Sequence, residues 1–197
     1  MSNLFQITRR SCLVLSLSAI AMPSFALTEN SATSLVERAL SDVQETIDSG
    51  KSGSALYRDF ERIFDRYADV PLVAAGSLGI AWRSASDGQK RRYTDAFGGF
   101  LSKKYGRRFD EFSGAKFVVT GASETKRGYA VATDVSLPSG SDVEVEWQVR
   151  DVKGSPRIFD IVIEGISMLV TERGEIGAML DARGGDLDKL IADLPNV

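Results

Sequence analysis

The segment from residue 142 to 169 restricts the fold more narrowly than any other part of this chain. Val143, Val145, Trp147 and Val149 alternate with Glu144, Glu146, Gln148 and Arg150. A side-chain period of two gives a strand one dry and one wet face. A turn is expected over residues 151–156, followed by a return strand over 157–164. In that strand Asp160 and Glu164 interrupt an apolar run of Ile158, Phe159, Ile161, Val162 and Ile163. Such a hairpin needs a large apolar cover, and whether the cover is protein alone decides what the molecule does.

The same period of two recurs over 115–122 and 128–137, with connectors short enough for an antiparallel meander. Upstream the period is 3.6. Helices are expected over 34–49 (Val36, Leu40, Val43, Ile47) and 55–67 (Leu56, Phe60, Ile63, Phe64, Tyr67). A short one starts at Asp69 or Val70, with Pro71 in its first turn. A long one runs to Tyr105, opened by the Ser86…Gln89 capping-box spacing and stopped by Gly106. Residues 27–33 read as a loose terminus. After the strands, helices are expected over 173–182 and beyond Asp186, where Leu187, Leu190, Ile191 and Leu194 keep helical spacing. Helices, then strands, then helices make an α+β plan. The expected form is a four-stranded antiparallel sheet covered by helices around an apolar pocket, cone-like in the NTF2-like manner. Periodicity alone leaves a pocket and a filled core equally open.

Residues 1–26 read as an export signal peptide: Arg9-Arg10, an apolar stretch from Cys12 to Met22, and small residues at Ser24 and Ala26. Thr8-Arg9-Arg10 also fits a twin-arginine route. Residues 27–197 then form a single domain. Removing the leader leaves 22 basic side chains against 27 acidic ones, a balance unsuited to nucleic acid. The chain has no His, and its one Cys lies in the leader. The exported form therefore builds no disulfide, Cys/His zinc site, Ser-His-Asp triad or Cys nucleophile.

Asp160, mid-strand among apolar neighbours, reads either as a paired structural acid or as a general base of raised pKa. Glu164 and Asp69 pose the same choice. Lys90, Arg91 and Arg92 at one end of the long helix, and Lys103, Lys104, Arg107 and Arg108 at the other, form either a solvated face or a surface for acidic partners or anionic head groups.

Residues 60–69 (FERIFDRYAD), Leu78-Gly79 with Trp82-Arg83, residues 89–105 (QKRRYTDAFGGFLSKKY) and 160–171 (DIVIEGISMLVT) resemble, in order, segments of the MlaC family. These are periplasmic phospholipid-binding proteins, also known as toluene-tolerance auxiliary proteins. The resemblance implies no catalytic residue, metal or cofactor. It implies a monomeric carrier that moves phospholipid between an outer-membrane lipoprotein complex and an inner-membrane ABC transporter complex, with acyl tails inside and the head group near solvent. At about 0.8 kcal/mol per methylene, exposing on the order of 30 tail methylenes costs roughly 20 kcal/mol or more, so a carrier must offer dry surface. By period, the lipid-facing candidates on the helices are Phe64, Tyr67, Val73, Leu78, Phe97, Leu101 and Tyr105. On the sheet they are Val131, Val145, Trp147, Val149, Ile161, Ile163 and Met168. Two other readings stand beside the carrier: a small-molecule enzyme on a cone-like fold with Asp160 as base, and a non-catalytic adaptor with a filled core.

Overall fold

Helix formation begins earlier than the apolar spacing predicts. The computed structural model describes residues 27–108 and 112–197, so the leader at 1–26 lies outside the described residues. Helix α1 spans Glu29–Asp48 and is capped by Thr28, whose side chain accepts from Ser31 N–H while the Ser31 hydroxyl accepts from Thr28 N–H. This capping box uses Ser where Glu or Gln is the usual sign. The loose terminus expected over 27–33 is thus mostly helix, with Ala32 buried beside Leu35, Val36, Ala39 and Leu40.

Among the described residues, four more α-helices precede the sheet: α2 (Gly53–Tyr67), α3 (Val70–Leu78), α4 (Ala81–Ser84) and α5 (Asp87–Gly106). The Ser86–Gln89 box is formed, with Gln89 N–H donating to Ser86 Oγ at 3.2 Å and Ser86 N–H to Gln89 Oε1 at 3.0 Å. Helix α5 ends at Gly106, as expected. A Cβ there would lie 2.6 Å from the Tyr57 ring, so the role of this glycine is close approach of α2.

The sheet has five strands rather than four, in the order β1 (Lys116–Thr125), β2 (Gly128–Ser136), β3 (Asp142–Val152), β4 (Ser155–Ile163) and β5 (Ile166–Ser167), each antiparallel to the next. The two-residue β5 is too short to show a period. It returns through Glu164-Gly165, both at positive φ (49° and 77°), as Lys153-Gly154 (53° and 83°) joins β3 to β4. Such two-residue turns match the right-handed twist of paired strands. The expected six-residue turn over 151–156 is therefore only two residues long.

Helix α6 (Met168–Asp181) starts five residues before the expected 173, and α7 (Leu187–Asp193) with a final 3₁₀ turn (Leu194–Asn196) closes the chain. The early start has a tertiary cause. Ser167 Oγ accepts from Val170 N–H at 3.2 Å and Asp160 Oδ1 from Leu169 N–H at 2.9 Å, so two amides of the first turn are satisfied from β4 and β5. Met168, expected on the sheet, is instead the first residue of α6.

Apolar residues gather in separate clusters. One is helical: Ala74, Leu78, Tyr93, Phe97, Phe100, Leu101 and Ile176 with the leucines and Ile191 of the C-terminal helix. Tyr93 and Phe97 stack at 5.5 Å between ring centroids. The others lie on the sheet and carry the site.

Candidate functional site

Register assembles the dry face of the sheet. Thr133 lies opposite Val145 and Val131 opposite Trp147, while Val145 and Trp147 lie opposite Ile163 and Ile161 on the other side. A bulge after Gln148 pairs Val149 with Ile158, leaving Phe159 as the extra residue. The bulge resolves the irregular look of the return strand. It lets Ile158, three residues from Ile161, face the same way, and turns Asp160 to the wet side opposite Gln148.

Two clusters divide this face. Ala32, Leu35, Val36, Ala39 and Leu40 of α1 cover Val131, Val149 and Ile158, together with Tyr67. Beyond them Ala115, Val135 and Val145 gather Phe112, Phe117, Leu137, Val143, Trp147, Ile161 and Ile163. None of the helices α1–α7 contributes a residue to this second cluster among the described residues, and Phe112, in 3₁₀ conformation before β1, packs against it. Val143, Trp147, Ile161 and Ile163 there are only half-buried. Trp147 and Ile161 touch both clusters and mark the edge of the cover that α1 provides.

The fourteen lipid-facing candidates do not form one wall. Val131, Val149, Trp147, Ile161 and Tyr67 belong to the covered half, and Val145, Ile163, Trp147 and Ile161 to the second cluster. Leu78, Phe97 and Leu101, with Phe64, Val73 and Tyr105 against them, sit in the helical cluster. Met168 is half-buried at the head of α6. Two clefts, of about 260 and 320 Å³, lie elsewhere: one on the α2–α5 surface around Tyr57 and Gly99, the other among the acids at the far end of β2 and β3.

The three acids singled out are engaged in structure. Asp160 Oδ1 accepts from the N–H of Ile161 (2.8 Å) and Leu169 (2.9 Å), and Oδ2 from the Ser167 hydroxyl (2.5 Å). Glu164 Oε1 accepts from Glu144 N–H at 2.6 Å. Asp69 caps α3 through Leu72 N–H, forms an ion pair with Arg150 at 2.8 Å, and donates its own N–H to the Ile158 carbonyl at 2.7 Å. It ties the α2–α3 corner to β4.

One acid escaped the sequence reading. Glu172 of α6 is 3% exposed and accepts from Lys104 Nζ at 2.8 Å and Tyr105 Oη at 2.5 Å. Lys104 also pairs with Glu175. Burial acts against the Lys104 charge, but its bonds to Glu172 and Glu175 prevail and hold its pKa above the ordinary lysine value. Burial, reinforced by Glu172, pushes the Tyr105 hydroxyl up as well. The signal was available: Glu172 stands four residues before Ile176, on the buried stripe of its helix. Other cations of α5 also bind the C-terminal region, Arg92 to Asp188 at 2.6 Å and Lys103 to the Pro195 carbonyl.

No described helix is long and apolar enough to cross a membrane. The family model described as MlaC protein matches residues 33–196. Toluene tolerance protein ttg2D of Pseudomonas putida is 23% identical over 156 residues, which cover 77% of this chain and 72% of that protein. A phospholipid-binding protein from Ralstonia solanacearum, solved in complex with a phospholipid, superposes with a TM-score of 0.64 at 20% identity, over 83% of this chain and 98% of its own. That likeness speaks for the α+β fold. With the family model spanning nearly the whole described chain and the ordered segments agreeing with it, this chain belongs to the MlaC family.

Proposed function

We propose that the protein is a periplasmic phospholipid carrier, exported by the leader at 1–26, whose domain at 27–197 holds acyl tails against the dry face of its sheet. The observation that carries this reading is the half of that face to which none of α1–α7 contributes among the described residues, where Val143 and Ile163 stay half-buried beside the buried Val135 and Val145. The half-buried side chains there, Val143, Trp147, Ile161 and Ile163, are the apolar area that hydrocarbon tails would cover. Membership of the MlaC family and the phospholipid-bound relative of the same fold support it. The carrier works as a monomer between an outer-membrane lipoprotein complex and an inner-membrane ABC transporter complex. It needs no cofactor and performs no reaction. The enzyme reading is disfavoured because both Asp160 oxygens are already engaged by donors of the protein itself.

Native mass spectrometry of the exported protein, purified without delipidation, tests the proposal. The expected result is one mass increment equal to a phospholipid, removed by extraction and restored by vesicles. A lipid-free protein that takes up nothing from vesicles refutes it.

A further inference from the structure

Two buried polar atoms on the dry face have no hydrogen-bond partner among the described residues: Thr133 Oγ1 and Trp147 Nε1. Thr133 is 0% exposed. Native interiors pair nearly all such groups, and each exception calls for an explanation. The two belong together. Thr133 is opposite Val145 and Trp147 is opposite Val131, so they are diagonal neighbours on one face of adjacent strands, a spacing that long side chains bridge. Trp147 also stands where the cover of α1 ends, since it packs against both sheet clusters.

Their chemistry defines what they lack. An indole N–H only donates, and a hydroxyl donates or accepts. The cross-strand neighbours Val131, Val145 and Ile161 are apolar and offer the pair no counter-charge. The complement is a neutral acceptor oxygen carried by a mostly apolar molecule. We propose that Trp147 and Thr133 donate to an acyl ester carbonyl of the bound lipid, so that the protein selects ester-linked over ether-linked chains. This rests on the phospholipid-carrier reading and adds to it a specific pair of polar contacts.

The experiment loads delipidated full-length mature protein from vesicles of a diacyl phospholipid or of its dialkyl ether analogue, matched in head group and chain length. Bound lipid is quantified by mass spectrometry. Wild type is expected to favour the ester lipid by about five- to tenfold, the worth of one or two net hydrogen bonds. Thr133→Val, which keeps the shape of the side chain, and Trp147→Phe each reduce that ratio, and the double variant brings it close to one while still loading lipid. If Trp147→Phe does not fold, Thr133→Val alone decides. Equal loading of the two lipids by wild type overturns the inference and assigns the pair to a buried water, leaving the carrier reading intact. A preference unchanged in Thr133→Val also overturns it. Failure of wild type to load either lipid overturns the carrier reading and this inference with it.

Discussion

Replacing Asp160 separates a structural acid from a catalytic one. Its carboxylate receives three hydrogen bonds, two from backbone N–H groups and one from Ser167, and it faces the first turn of α6. A bond to a charged group is worth about 1.5–3 kcal/mol, and a carboxylate at a helix N-terminus adds about 0.3–1 kcal/mol. These contributions do not add in full, because Asp160 is half-buried and water replaces part of what is lost. Asp160→Ala is therefore expected to cost about 3 kcal/mol and to lower Tm by roughly 6–12 °C in a domain of this size. Asp160→Asn keeps an oxygen where Oδ1 accepts from Ile161 and Leu169 and gives up chiefly the charge, for about 1 kcal/mol. Urea unfolding followed by circular dichroism, with lipid loading measured on the same samples, reads both quantities. The order Ala well below Asn, with loading retained by the folded fraction, is the expected result. Two variants that each lose less than about 0.5 kcal/mol would refute the structural role. So would an Asn variant of normal stability that loads no lipid.

Removing Lys104 leaves Glu172 buried without its counter-charge. Lys104→Met is expected to lose about 3–5 kcal/mol in urea unfolding, and adding Glu172→Gln should restore most of it. Gly128 has φ +139°, and a Cβ there would lie 2.1 Å from the Val149 carbonyl oxygen, so Gly128→Ala should cost on the order of 4 kcal/mol. Gly121→Ala, with nothing within 4 Å of its Cβ, is the control that should cost little in the same assay. Lys104, Tyr93 and Tyr105 are all raised in the folded state, the tyrosines mainly by burial. A raised group stabilises fully below its unfolded value and loses that contribution as pH climbs through the folded one. Stability should therefore fall above about pH 10, the ordinary tyrosine value. Tyrosinate absorbance is expected to lag in the native protein and rise together with unfolding.

Local signals carried the sheet and the long helix, because those elements state their own boundaries. The Ser86 and Gln89 side chains form the box that their spacing announces, and the alternation of Val143 to Val149 survives intact in β3. Elements set by distant contacts were hidden. The first turn of α6 has no apolar period, and its amides are held by Asp160 and Ser167. The bulge at Phe159 made an ordinary strand look irregular. The residues expected to face lipid show the deeper limit. Periodicity reports that Phe97 and Val145 each face something dry, but not that one faces other helices and the other a sheet surface to which none of α1–α7 contributes among the described residues.

That separation bears on how a carrier can work. The stacked aromatic rings of α5 are enclosed by their own helical cluster, which is fastened through Lys104 and Glu172, and the covered half of the sheet is enclosed by α1. The helical cluster is thus separate from the second half of the sheet, and the α1-covered cluster shares with it only its edge at Phe117, Trp147 and Ile161, so on the proposed carrier reading a lipid could leave that surface with the helical cluster intact. Apolar contact of about 25 cal/mol per Å² is non-directional, so on the proposed reading tails of different length and saturation would bind there with little distinction. Selection among lipids must then come from polar atoms at the edge of the apolar surface. On this face, Thr133 Oγ1 and Trp147 Nε1 are the two buried polar atoms among the described residues that lack partners, and Trp147 stands at that edge.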